Sequence, residues 1–193
     1  MQNVSIEKHP LTPFLPKNAK ILMLGSFPPK QERWSMDFFY PNFINDMWRI
    51  MGVLYFHNKS YFEIKGEKRF DKEQIIEFCI SKGIALFDTA CEVRRLKDNA
   101  SDKFLEVVTQ TDIPTLLKQI PDCKAIVVTG QKATETICAK FNLIAPSIGS
   151  CSNINIDGRD IQFWRMPSSS RAYPLSLEKK AEYYRVMMDS VLL

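Results

Sequence analysis

Two segments far apart in the chain each join an apolar run to a loop carrying groups that can handle a nucleobase. The first is Lys20–Pro29, K-I-L-M-L-G-S-F-P-P, followed by Tyr40 and Asn45. The second is Phe163–Ala172, F-W-R-M-P-S-S-S-R-A. A continuous apolar run that ends in Gly-Ser or Pro-Ser reads as a central strand whose carboxyl end opens into a site. Ligands of open α/β sheets sit outside those carboxyl ends, so the two loops are expected to converge on one pocket.

The elements that must position these loops alternate between strands and helices. Residues 20–25 read as the first strand. Met47, Ile50, Met51 and Leu54 recur at helical spacing, which predicts a helix opening at Asn45 or a neighbour. Asn is a favoured cap, so a capping role for Asn45 stands beside any chemical one. Residues 55–70 are aromatic and basic without a clear period and read as a loop or short ordered excursion. Asp71 caps a helix that Gly83 ends, and Gly83–Asp88 is a second buried strand. Residues 89–111 are polar and charged and read as a long loop with at most one short helix.

Asp112 then caps a helix with Pro114 in its first turn. Ala125–Thr129 is a third buried strand with a helix after it. Asp157-Gly158, between Ile154–Ile156 and Ile161–Trp164, is a hairpin signal. Leu177, Ala181, Tyr184, Met188 and Val191 mark a last helix capped by Ser176. The alternation indicates a layered α/β fold with a mostly parallel sheet.

The 193 residues fit one domain, with 1–19 as an extended, Pro-rich lead-in. No apolar run approaches the roughly 20 residues of a membrane span. Pro10, Pro13 and Pro16 interrupt the place where a secretory signal would need its apolar core. Cys79, Cys91, Cys123, Cys138 and Cys151 are dispersed and odd in number. That argues for free thiols, a reducing compartment and a cytoplasmic protein, and against a zinc or iron–sulfur framework.

The net charge of +4 is small, but its distribution is informative. Arg94, Arg95, Lys97 and Lys103 fall in the expected loop, and Arg165 and Arg171 flank the Met-Pro-Ser-Ser-Ser run. Basic groups beside a cleft can contact phosphates; solvated surface charge is the alternative for each. No phosphate loop, G-x-G-x-x-G or G-x-S-x-G is present, and His9 and His57 do not make a metal cluster. Cys91 beside His57 is a poor nucleophile candidate, because a free cysteine at a strand end is usually a small buried residue. Neither a metal nor an organic cofactor is expected.

Through Gly25, Ser26 and Pro28, then Tyr40, Asn45 and Trp48, then Pro167, Ser168 and Ser170, the chain resembles the uracil-DNA glycosylase superfamily. It most resembles the hypoxanthine-DNA glycosylase-like branch, with its Gly-Ser-x-Pro-Gly loop, aromatic-x-His-Pro-x-Asn-x-Phe-Trp stretch and Leu-Pro-Ser-x-Ser loop. Ile84–Asp88, Asp112–Pro114 and Val127–Ala133 resemble intervening segments, so the likeness runs over residues 20–192. It implies a three-layer α/β/α sandwich around a short, mostly parallel sheet. It also implies a monomeric, monofunctional DNA glycosylase that hydrolyses the N-glycosidic bond of uracil or hypoxanthine in base excision repair. No motif places a Schiff-base lysine, so no lyase step is expected.

The resemblance assigns catalysis to Asn45 and Ser26, base binding to Gly25, Phe27, Tyr40 and Asn42, and DNA binding to Pro167, Ser168, Ser169, Ser170 and Arg171. The residue types suit the chemistry. An extruded base needs an aromatic face, for which Tyr40 is the candidate. The leaving base gathers negative charge that backbone N–H groups at Ser26 and Phe27 can stabilise. The carbonyl of Asn45 can orient water while its NH2 donates to the base. Many relatives hold Asp or Asn at the position of Phe27, which can do neither job. Pro29 stands in place of a glycine, Asn42-Phe43-Ile44 in place of His-Pro-x, and Arg171 where Pro is common. A DNA-binding module without catalysis and an enzyme acting on a free nucleoside remain alternatives.

Overall fold

Three of the apolar runs become adjacent parallel strands with every residue buried: β2 (Ile21–Gly25), β3 (Ile84–Asp88) and β6 (Ala125–Thr129). Burial on both faces requires helices above and below, which is why these runs show no alternation. The structure, a computed structural model, describes residues 5–97 and 102–193. Its main sheet has five strands in the order β3-β2-β6-β8-β7, with β8 at Arg159–Met166 and β7 at Ser150–Ile156. β8 continues the parallel set, and β7 pairs with it antiparallel through the Asp157-Gly158 turn. Both turn residues have positive φ, 51° and 82°, as a tight hairpin demands.

Helices α1 (Met47–Phe56), α2 (Lys72–Lys82), α3 (Ile113–Gln119), α4 (Gln131–Phe141) and α5 (Leu177–Leu192) flank this sheet in a three-layer α/β/α arrangement. Asp71, Asp112 and Ser176 each accept a hydrogen bond from a first-turn N–H, so three predicted caps are present as caps. Gly83 closes α2 at φ 67°, where a side chain would be strained. Register brings Gly25 beside Asp88 and Thr129 beside Met166, so the parallel strands release their loops along one edge.

The expected long loop over 89–111 is instead most of a second sheet. β4 (Ala90–Arg95) and β5 (Leu105–Gln110) pair antiparallel, and β1 (Ile6–Lys8) from the N-terminal lead-in adds on the other side of β4. Register shifts between Ala90, Glu92 and Val93 break the period-two pattern that would have announced β4. Phe27, Ala90, Val93 and Leu105 form its small core. The part of the expected loop at 98–101 lies outside the described residues. Of the expected loop over 55–70, Tyr55 and Phe56 instead complete α1, and the rest, 57–70, is a loop in which Phe62 and Phe70, each 1% exposed, plug the main core.

Candidate active site

A cleft of about 960 Å³ opens at the carboxyl ends of the parallel strands. Gly25 and Asp88, register partners at the ends of β2 and β3, both line it. A Cβ on Gly25 would collide with Asp88 Oδ1 and would sit 3.8 Å from the Tyr40 ring. Glycine is therefore needed here for close approach rather than for backbone freedom. Asp88 Oδ2 lies 2.8 Å from His9 Nε2, and the His9 side chain is 4% exposed. The ring packs against Phe87 at 4.5 Å and edge-on to Phe27 at 5.2 Å. Nδ1 of His9 faces both the N–H and the carbonyl of Leu11, at 3.1 and 2.9 Å. With Nδ1 accepting from the Leu11 N–H, Nε2–H donates to Asp88, so the N-terminal segment orients this carboxylate.

The loop after β2 meets the second sheet. Ser26 Oγ donates to Asp102 Oδ2 at 2.7 Å, and both residues line the cleft. Burial pushes the Asp102 carboxyl above its ordinary range. The Ser26 hydrogen bond opposes this, Asp88 reinforces it, and Arg95 and Lys132 oppose it. Phe27 lines the cleft but belongs mainly to the core of the second sheet. Arg95, expected on a loop, is buried on β4 and is committed to Glu7 and to the Pro28 carbonyl. It anchors the loop over 25–29 rather than offering a charge to a phosphate.

Tyr40 adopts a left-handed backbone, φ 51°, which turns its ring into the cleft wall. Its hydroxyl lies 3.1 Å from Thr129 Oγ1 at the end of β6, and Trp48 packs edge-on at 6.1 Å. Burial drives its phenol far above the ordinary range, so it is neutral at any working pH. Asn42 Oδ1 accepts from the Ile44 N–H at 3.1 Å in a local turn. Asn45 Oδ1 accepts from the Met47 N–H at 2.9 Å, so the capping alternative is realised one residue outside the Asp46 N-cap. The second lone pair of that oxygen can still take a water proton.

The third loop is pinned to the second. Asn45 and Ser170 form an isolated antiparallel bridge, and the Asp46 N–H donates to the Ser169 carbonyl at 2.8 Å. Lys180 of α5, fully buried, reaches Asp46 Oδ2 at 3.0 Å and the Ser170 carbonyl at 2.8 Å. Arg171 Nε lies 3.3 Å from Asp46 Oδ1 with its side chain half in solvent. Ser168 and Ser170 are half-buried and line the cleft, whereas Ser169 is 3% exposed. Pro167 lies beneath, its carbonyl receiving the Tyr184 hydroxyl at 3.0 Å.

The sequence-derived residues Gly25, Ser26, Phe27, Tyr40, Asn42, Asn45, Ser168, Ser169, Ser170 and Arg171 thus share one cleft, and Pro167 supports it from below. His9, Asp46, Asp88, Asp102 and Lys180 were not anticipated there. Asp88 carried a signal, because a carboxylate ending an otherwise apolar buried strand has to be paid for by a partner or a task. Among the described residues no cluster of His, Cys, Asp and Glu is arranged to hold a metal ion.

No protein-family model and no curated protein matches the chain. Among solved structures it is similar to the solution NMR structure of a Methanosarcina acetivorans protein that carries a provisional uracil DNA glycosylase assignment. The two are 20% identical with a TM-score of 0.63, over 96% of this chain and 99% of that one. The shared feature is the uracil-DNA glycosylase-like fold.

Proposed function

We propose that this protein is a monofunctional DNA glycosylase that excises a deaminated base, uracil or hypoxanthine, leaving an abasic site for base excision repair. One observation carries the reading: loops more than a hundred residues apart are bridged at Asn45 and Ser170, over one cleft, at the strand ends of this fold. The motif residues Gly25-Ser26-x-Pro28 and Asn45 support reading it with the hypoxanthine-DNA glycosylase-like branch.

A target base inside the stack is out of reach and must be extruded into the cleft. The Tyr40 ring then replaces lost stacking, worth about 1–3 kcal/mol. As the glycosidic bond lengthens, positive charge grows on the sugar and negative charge on the base. Ser26 and Phe27 N–H groups, which donate to no backbone carbonyl among the described residues, are suited to the anionic side. Pro28 and Pro29 have no N–H, which confines the donors to those two. Asn45 orients the attacking water through its carbonyl. Ser168 and Ser170 hydroxyls, with Lys103 and Lys132 on the cleft wall, suit phosphates. The reading takes the protein as a monomer of the cytoplasm: its five cysteines are unpaired, and no described helix is long and apolar enough to cross a membrane.

The test incubates the protein with labelled duplex and single-stranded oligonucleotides, each carrying one uracil, hypoxanthine or G-paired thymine, and reveals abasic sites with alkali. Strand scission at one modified base is expected, with Asn45→Ala slower by roughly 10²–10³-fold. Silence across the panel overturns the reading. Tight DNA binding would then point to a non-catalytic module, and its absence to a nucleoside enzyme.

A further inference from the structure

Hydrolysis must also dispose of a proton from the attacking water, and none of the residues assigned so far can hold it. Phe27 has no polar group, and the Asn45 amide is not a base near neutral pH. Three described carboxylates line the cleft: Asp88, Asp102 and Glu135. Glu135 is exposed and accepts from Gln131 Nε2 at 2.7 Å on the outside of α4. Asp88 is tied through Oδ2 to His9, and its Oδ1 lies against Gly25. Asp102 is the one held by a hydroxyl of the cleft itself: Ser26 donates to its Oδ2, and its Oδ1, which makes no hydrogen bond among the described residues, is not crowded by Gly25 as Asp88 Oδ1 is.

We propose that Asp102 is the general base of this site and that Ser26 is the positioning residue that aims it. The inference rests on the glycosylase reading above. Asp102 Oδ1 takes one proton from water as the water oxygen bonds to C1′ of the sugar. The C1′–N bond breaks, and its electron pair leaves on the ring nitrogen of the base, facing the Ser26 and Phe27 N–H groups. The sugar keeps the hydroxyl, and the proton on Asp102 is returned to the departing base, which leaves neutral.

The surroundings favour this role. Burial makes Asp102 a stronger base than an exposed aspartate, and Asp88 at the end of β3 acts in the same direction. The Ser26 hydroxyl, Arg95 on β4 and Lys132 on α4 act oppositely. Asp102 opens the short turn Asp102–Phe104 that leads into β5 of the second sheet. Phe27 in turn packs in that sheet's core beside Leu105, the first residue of β5.

Single-turnover excision of the preferred base, measured from acid to alkaline pH, tests the assignment in Asp102→Asn, Asp102→Glu and Ser26→Ala. Anisotropy with the same oligonucleotides reports DNA affinity. Asp102→Asn should slow excision by about 10²–10⁴-fold at unchanged affinity, with the acid limb of the profile gone. Asp102→Glu should recover part of the rate. Ser26→Ala removes a bond that favours the ionised carboxylate, so its acid limb should move to higher pH. A wild-type rate in folded Asp102→Asn, or an unmoved limb in Ser26→Ala, overturns this inference while leaving the glycosylase standing. A wild type silent on every base overturns both.

Discussion

Replacing Lys180 by Met tests whether the buried ion pair holds the loops of Asn45 and Ser170 together. The Lys180 side chain is 0% exposed, and that of Asp46 is 9% exposed. Its ammonium satisfies both Asp46 and the Ser170 carbonyl. Removing one member of such a pair strands the other charge and costs about 3–5 kcal/mol. Arg171 still faces Asp46, but with its side chain 52% exposed it recovers roughly 0–1 kcal/mol. Methionine replaces most of the apolar stem, so the expected loss is near the lower bound, about 3 kcal/mol. In a chain of this size that lowers the melting temperature by about 6–12 °C.

Urea unfolding followed by circular dichroism measures the loss in Lys180→Met, in Asp46→Asn and in the double variant. The double variant leaves no stranded charge, so it should lose less than the sum of the singles by on the order of 1–3 kcal/mol. Excision by Lys180→Met should also fall at temperatures where the variant is folded, because Asn45 and Ser170 are no longer clamped. A single-variant loss under about 1 kcal/mol, or strict additivity, refutes the clamp.

Two further outcomes follow from the same geometry. Gly25→Ala forces a methyl group into Asp88 Oδ1 and must displace the carboxylate from His9 or shift β2; excision should drop on the order of a hundredfold with the far-ultraviolet spectrum retained, and an unchanged rate would show that the approach is not needed. Arg171→Ala should cost under about 1 kcal/mol of stability because its pair with Asp46 is half in solvent, yet reduce excision from duplex more than from single strands, and equal effects on the two would exclude a wedge role.

The main sheet was legible because its strands obey one rule each. β2, β3 and β6 are buried on both faces and read as unbroken apolar runs, and α2 has its cap and its terminal glycine in sequence. The second sheet obeyed none. β1 has three residues, β4 carries Glu92, Arg94 and Arg95 across irregular register, and half of β5 is polar and exposed. Arg95 shows why charge misled: its guanidinium is buried because Glu7, from a strand 88 residues earlier, neutralises it. No local pattern contains that partner.

The site divides along the same line. Gly25, Tyr40, Asn45 and Ser170 stand on loops that leave the apolar strands or open α1, so their convergence follows from topology. His9 and Asp102 arrive from the N-terminal segment and the turn before β5, and their positions depend on contacts that exist only after both sheets have packed. Lys180 is the instructive intermediate. It falls on the stripe that Leu177, Tyr184, Met187 and Val191 define, where a solvated lysine has no place. A cation on a buried helical face requires an anion across from it, and Asp46, next to Asn45, is that anion. The proposed base follows the same pattern: Phe27 is core for the second sheet, and Asp102, on the turn that leads into β5, is the carboxylate that Ser26 holds.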